Sequence, residues 1–387
     1  MDAADIVLAL VVVAALGFDF TNGFHDTANA MATTIATGAL KPKLAVTIAA
    51  ILNFVGAFIS LKVAATVAEG IVDADAITPT VVFGGLVGAI CWNLATWWFG
   101  LPSSSSHALI GGVVGATLVA AGGGAIEVEG IVSKVIVPAI ASPLVAGVVA
   151  AIGVFLVYKL IRGFAPARSE REFRWAQVAS SSMVALAHGT NDAQKTMGVI
   201  SLALIANGTL RGGPDFDVPT WVVVSCASAI ALGTYTGGWR IIKTLGTKVV
   251  EVRPPQGFGS EAVAATVILA SSHVGYPLST TQVVSGAVTG SGVGRPGAQV
   301  NWVVARNIVA GWLLTLPAAA ATAALAYAII DLFGDGVAGP LVVAALLATG
   351  CGFLFVANRR NAIHPHETIS DRPAFGPNAV APEAVPA

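Results

Sequence analysis

Two stretches, Asn22-Gly23-Phe24-His25-Asp26-Thr27-Ala28-Asn29-Ala30-Met31 and His188-Gly189-Thr190-Asn191-Asp192-Ala193-Gln194-Lys195-Thr196-Met197, decide how the chain is read. Laid over one another, they put Gly23 on Gly189, Asp26 on Asp192 and Met31 on Met197. A second pair follows in the same order: Gly100-Leu101-Pro102-Ser103-Ser104-Ser105-Ser106-His107 over Gly275-Tyr276-Pro277-Leu278-Ser279-Thr280-Thr281-Gln282. Gly111 and Gly115 then fall on Gly286 and Gly290. One match alone carries little, but two blocks recurring in one order argue for an internal repeat.

The sequence around these blocks is apolar. Of 387 residues 55% are hydrophobic and 11% charged, against about a quarter charged in a soluble domain. The runs 43–66, 80–99, 138–160, 219–239, 303–330 and 337–357 reach the roughly 20 residues of a bilayer-spanning helix. A polytopic α-helical membrane protein follows, and no polar stretch is long enough for a soluble domain. Met1-Asp2-Ala3-Ala4-Asp5 is acidic where a secretory signal needs Lys or Arg, so the first run reads as a retained helix. Cys91, Cys226 and Cys351 lack ligand-like spacing and read as packed thiols. Trp92, Trp97, Trp98 and Trp239 fall near predicted span ends, as interfacial anchors do.

Charge sets the orientation. Lys159 to Arg174 and Arg240 to Arg253 are basic, whereas Glu69, Asp73, Asp75, Glu127, Glu129, Asp215, Asp217, Asp331 and Asp335 mark the opposite loops. By the positive-inside rule the basic loops are cytoplasmic. The stretch 5–40 then runs inward and 175–206 outward, while 80–121 leaves from and returns to the outside and 257–294 leaves from and returns to the inside. These expectations define an all-α fold of two inverted-topology repeats, and the polar Gly-containing clusters suggest broken or re-entrant helices. The divisions are a first repeat over 1–160, a basic linker over 161–174, a second repeat over 175–357 and a disordered cytoplasmic tail over 358–387.

Asp26 and Asp192 carry the first candidate chemistry, because an ionised carboxylate among apolar residues needs a partner or a water-filled site. Asn22, Thr27, Asn29, Thr190, Asn191 and Gln194 offer neutral oxygens, which suit a hard cation; alternatively the carboxylates bind a proton. Capping of a broken helix is the plainer reading. After Pro102 and Pro277, the hydroxyl runs Ser103 to Ser106 and Ser279 to Thr281 open new apolar segments. Helix N-termini with several hydroxyls make an anion site, although one cap needs only one hydroxyl. Lys195, the one basic residue in either repeat core, can pair with substrate, Asp26 or Asp192. Glu261 is a further candidate for cation or proton coupling. His25, His107, His188 and His273 stand beside these clusters without zinc spacing and read by default as packed or hydrogen-bonded imidazoles.

With these blocks the sequence resembles the inorganic phosphate transporter (PiT) family, from the first span to about Val356. The resemblance implies a multi-pass plasma-membrane homodimer and phosphate bound between the repeats. It also implies cotransport with protons or sodium, with a divalent metal travelling alongside the anion as a further option, and no resident cofactor. It assigns Asp26, Asn29, Asn191, Asp192 and Gln194 to the cation and phosphate site, and Ser104, Ser105, Ser106, Thr280 and Thr281 to its donors. Phosphate and the lipid bilayer are the expected partners, and nucleic acid is not. His25 stands where the second repeat has Asn191, which removes one neutral ligand from a sodium shell and favours a proton. A sulfate or other oxyanion permease would use the same donors, but only phosphate can donate a hydrogen bond to a carboxylate at neutral pH. An intramembrane hydrolase built on Ser104 or Ser105 with His107 lacks the Gly-x-Ser-x-Gly turn. A passive channel is the third rival.

Overall fold

The structure, a computed structural model, describes residues 3–68, 77–163, 166–211, 217–361 and 363–365. The first helix, α1 (Ala3–Ala36), is followed by α2 (Pro42–Gly56), α3 (Lys62–Ala68), α4 (Pro79–Trp98) and α5 (Ser105–Ala121). A short α6 (Val128–Ile131) leads into α7 (Val137–Ile161). Then come α8 (Pro166–Ala206), α9 (Thr220–Thr236), α10 (Trp239–Lys243), α11 (Pro254–His273), α12 (Thr280–Gly294), α13 (Trp302–Asp331) and α14 (Ala338–Arg360). Among the described residues no strand is formed, and one antiparallel bridge joins Val250 and Val300. Five helices are long and apolar enough to cross a membrane, or six if α9 and α10, bent by 59°, count as one span.

Two expectations need correction. α1 and α8 are continuous through their polar blocks, not broken. The glycines there serve close packing instead: a Cβ on Gly23 would collide with the Ile230 carbonyl of α9, and one on Gly189 with the Asn53 carbonyl of α2. The polar side chains bond sideways or back, as Thr27 Oγ1 does to the Gly23 carbonyl at 2.7 Å, so they do not compete with the helical ladder. The interruptions fall elsewhere. Run 43–66 is split into α2 and α3, and the hydroxyl blocks separate α4 from α5 and α11 from α12. The basic linker is also partly helical, because α8 begins at Pro166. Glu69, Asp73, Asp75, Asp215 and the tail beyond residue 365 lie outside the described residues.

The repeat reaches into the packing. α5 lies on α13, where a Cβ on Gly111 or Gly115 would meet the carbonyls of Leu316 and Ala320. α12 lies on α7 in the same way, with Gly286 and Gly290 facing the carbonyls of Pro143 and Gly147. Each half therefore lends its short hydroxyl-capped helix to the other half's long helix. Where lipid supplies no hydrophobic drive between helices, such small-residue contacts let backbones approach. Gly290→Ala should lower stability by roughly 1–3 kcal/mol or more by overpacking, while Gly153→Ala, with open space around it, should be neutral or slightly stabilising. Thermal unfolding in detergent checks both; equal melting temperatures would contradict the packing.

Candidate functional site

The breaks before α5 and α12 place two helix starts in the interior. Ser104 caps α5 by accepting from His107 N at 3.2 Å, and Ser279 caps α12 by accepting from Gln282 N at 3.3 Å. Each cap uses one hydroxyl and leaves the next two to face inward. Equivalent positions of the repeat also meet: Gln282 Nε2 lies 3.5 Å from His107 Nδ1. The two N-termini therefore approach each other, each presenting the amide groups a helix start leaves without an internal acceptor.

The carboxylates of α1 and α8 meet these ends. Ser105 Oγ donates to Asp26 Oδ2 at 3.0 Å and to Asn22 Oδ1 at 2.7 Å. Thr281 Oγ1 donates to Asp26 Oδ1 at 3.2 Å, and Thr280 Oγ1 reaches Asp26 Oδ2 at 3.3 Å and Asp192 Oδ2 at 3.1 Å. His25 Nδ1 lies 2.8 Å from Asp26 Oδ1. His188 Nε2 stands between the two acids, 3.2 Å from Asp192 Oδ2 and 3.8 Å from Asp26 Oδ2. Asp26, His188 and Asp192 thus each offer one ligand atom within 4.8 Å of the others, a spacing that suits a cation.

The cross-links obey the repeat. Asn29 Nδ2 donates to Thr281 Oγ1 at 3.0 Å. At the equivalent place Lys195 Nζ donates to Ser106 Oγ, to Asp192 Oδ1 and to the Leu278 carbonyl, each at 2.6 Å. Asp26, Asp192, Lys195 and the four inner hydroxyls of Ser105, Ser106, Thr280 and Thr281 are all buried, none above 5% exposed. One compact buried cluster, here called the chamber, thus holds two carboxylates, a single ammonium, two imidazoles and hydroxyl donors.

Other candidates sit at its edge or apart from it. Asn191 Nδ2 donates to Ser272 Oγ at 2.8 Å, and its Oδ1 has no partner. Gln194 turns away: its Oε1 accepts from Val63 N at 2.8 Å at the start of α3, and its Nε2 bonds the Thr190 carbonyl. Glu261 lies in a separate buried cluster with Thr33, Thr34 at 2.8 Å, Gln177 at 3.1 Å and Ser180 at 2.7 Å. His188, whose default reading was a packed imidazole, is central to the chamber; its place opposite Asn22 in the repeat was the available signal. Ser105 hydrogen-bonds Asp26 and Ser104 accepts from the backbone N of His107, so neither serine is bonded to the His107 ring among the described residues.

Comparison with known proteins agrees with this geometry. The chain matches the Phosphate transporter family over residues 22–171 and 161–323. It is 55% identical over 357 residues to a probable low-affinity inorganic phosphate transporter of Mycobacterium bovis, covering 92% of this chain and 85% of that one. It is 42% identical to one of Bacillus subtilis, covering 86% of this chain and 99% of that one. A solved structure titled the sodium-dependent phosphate transporter superposes with a TM-score of 0.75 at 25% identity, over 84% of this chain and 99% of that one. The interior helix ends, the paired acids and these likenesses agree: the chain is a multi-pass membrane protein and a member of the phosphate transporter family.

Proposed function

We propose that the protein is a secondary transporter that imports inorganic phosphate by symport with protons. The observation that carries this reading is the meeting of two hydroxyl-capped helix N-termini with Asp26, Asp192, His188 and Lys195 in one buried chamber. Helix starts and hydroxyls bind the anion, and Lys195 supplies the positive charge. The hydroxyls of Ser105, Ser106, Thr280 and Thr281 now spent on the acids and Lys195 are the groups that turn to phosphate. A monoprotonated phosphate can itself donate to Asp26 or Asp192, which sulfate cannot do, so the same acids favour phosphate. The two halves are inserted in opposite senses, and alternating access comes from one half moving against the other about this chamber.

Protons are favoured as the coupling ion because the central acids are surrounded by donors. Hard cations seek oxygen ligands, whereas Asp26 Oδ1 is held at 2.8 Å by the imidazole nitrogen of His25. Glu261, buried among hydroxyl and amide groups seven residues along α1 from the Asp26 level, serves as an additional coupling site towards the proposed cytoplasmic end.

Asp26→Asn and Asp192→Asn should each reduce concentrative phosphate uptake in proteoliposomes to background while the protein still inserts and remains monodisperse. Uptake at the unmodified rate in both would remove the chamber from the mechanism. The paired changes Ser105→Ala with Ser106→Ala, or Thr280→Ala with Thr281→Ala, remove uncharged donors worth about 1 kcal/mol each. They should therefore weaken apparent phosphate affinity roughly 10- to 30-fold without abolishing it, because backbone amides remain. Unchanged affinity in initial-rate measurements would reduce the hydroxyls to caps. In sodium-free vesicles an inward proton gradient should drive accumulation that an ionophore collapses; uptake that stays at background until sodium is added would make sodium the coupling ion.

A further inference from the structure

Asp19 lies outside the chamber and takes no part in the donor network described for it. It precedes Asp26 by seven residues on α1, two turns and about 10 Å along the axis. Its side chain is 0% exposed. Oδ1 accepts from Thr196 Oγ1 at 2.5 Å, and Oδ2 has no hydrogen-bond partner. The Cys226 thiol faces it from α9, and the charged groups that act on it are Asp192 and His188 on α8. Of the titratable groups on other helices against α1, Glu261 of α11 bonds Ser180, His107 of α5 lies beside Gln282, and Arg240 of α10 bonds the Trp98 carbonyl. Among the described residues no Lys or Arg forms an ion pair with it.

The repeat shows that the fold does not require this acid. Asp19 and Thr196 correspond to Ala185 and Ala30 by the register of the first block, and Cys226 corresponds to Ala49 because Gly23 packs on Ile230 as Gly189 packs on Asn53; all three alanines are buried in the apolar core of the other half. The same helix crossing is thus built once from alanines and once around a carboxyl group. An ionised carboxylate with an unpartnered oxygen in such a place is costly. A metal ion is a poor remedy, since hard cations want about six oxygens, and here the carboxyl, one hydroxyl and a thiol are the side-chain groups at hand. A proton needs no shell.

We propose that Asp19 is a further proton-binding site, a station for the cotransported proton on the N-terminal side of the chamber. Thr196, its partner, is one turn of α8 from Asp192, so the station lies one helical turn from the central acids. Binding converts the carboxylate to the neutral acid; onward transfer returns that proton to Asp192 or Asp26 through the hydroxyl or an intervening water, and no other bond changes. With Glu261 beyond the chamber, α1 then carries acids or their partners at 19, 26 and 33, one face of one helix. The inference rests on the proton-symport reading above.

The test compares wild type, Asp19→Asn and Asp19→Glu in sodium-free proteoliposomes, voltage-clamped with potassium and valinomycin, under imposed pH gradients. Each coupled proton multiplies accumulation about tenfold per pH unit, so Asp19→Asn, fixed in the neutral form, should accumulate phosphate about tenfold less per unit of gradient. Asp19→Glu should restore it, which a purely structural role would not predict. Infrared spectra should show a protonated-carboxyl stretching band that is lost in Asp19→Asn and shifted in Asp19→Glu. Asp19→Asn accumulating like a proton-driven wild type, or an unaltered infrared band, overturns the station and leaves proton symport standing. A wild type that ignores the pH gradient overturns proton symport and the station with it. Should Asp19→Asn fail to fold, the band in Asp19→Glu decides alone.

Discussion

Two carboxylates held in the interior of a membrane protein constrain everything around them. Asp26 and Asp192 cannot be left unsolvated, and the chain supplies their donors by starting two helices next to them. That requires α5 and α12 to begin inside the protein, which in turn requires a break after α4 and after α11. The short helices must then be seated firmly, and each lies on a long helix of the opposite half through glycines that admit no side chain. The exchange of α5 and α12 between halves is the cost of bringing both N-termini to one point.

The repeat gives a symmetric frame, but the ionisable groups on it are not symmetric. Lys195 occupies the place of Asn29 and His188 that of Asn22. Glu261 and its partners Thr33, Thr34, Gln177 and Ser180 correspond to Leu86, Val199, Ile200, Val11 and Ala14, all in the apolar core. Asp19 and its partners correspond to alanines. Each half thus keeps one polar inlay that the other replaces by hydrophobic packing, at the two ends of the central chamber.

Much of this was legible in the sequence because it lay in repeated blocks. The pairing of Gly23 with Gly189, Asp26 with Asp192 and the two hydroxyl runs located both the architecture and the chamber. What misled was local: glycine with polar residues inside an apolar run reads as a helix break, yet in α1 and α8 those glycines admit a neighbouring backbone and the helices continue. Gln194 is polar and near Asp192 in sequence, but two residues turn the helix by about 200°, and its side-chain carbonyl oxygen meets the start of α3. Asp19 escaped notice because it has no counterpart in the second block, so a reading built on repetition passed over it.

The central claim is that the anion binds between the N-termini of α5 and α12, beside the acids of α1 and α8. Arsenate has the shape and protonation of phosphate, and arsenic can be located by anomalous scattering in crystals of the protein soaked with it. A single peak is predicted within hydrogen-bonding reach of Ser105, Ser106, Thr280 and Thr281. A peak on another surface, with these four hydroxyls still bonded to Asp26, Asp192 and Lys195, would contradict the account.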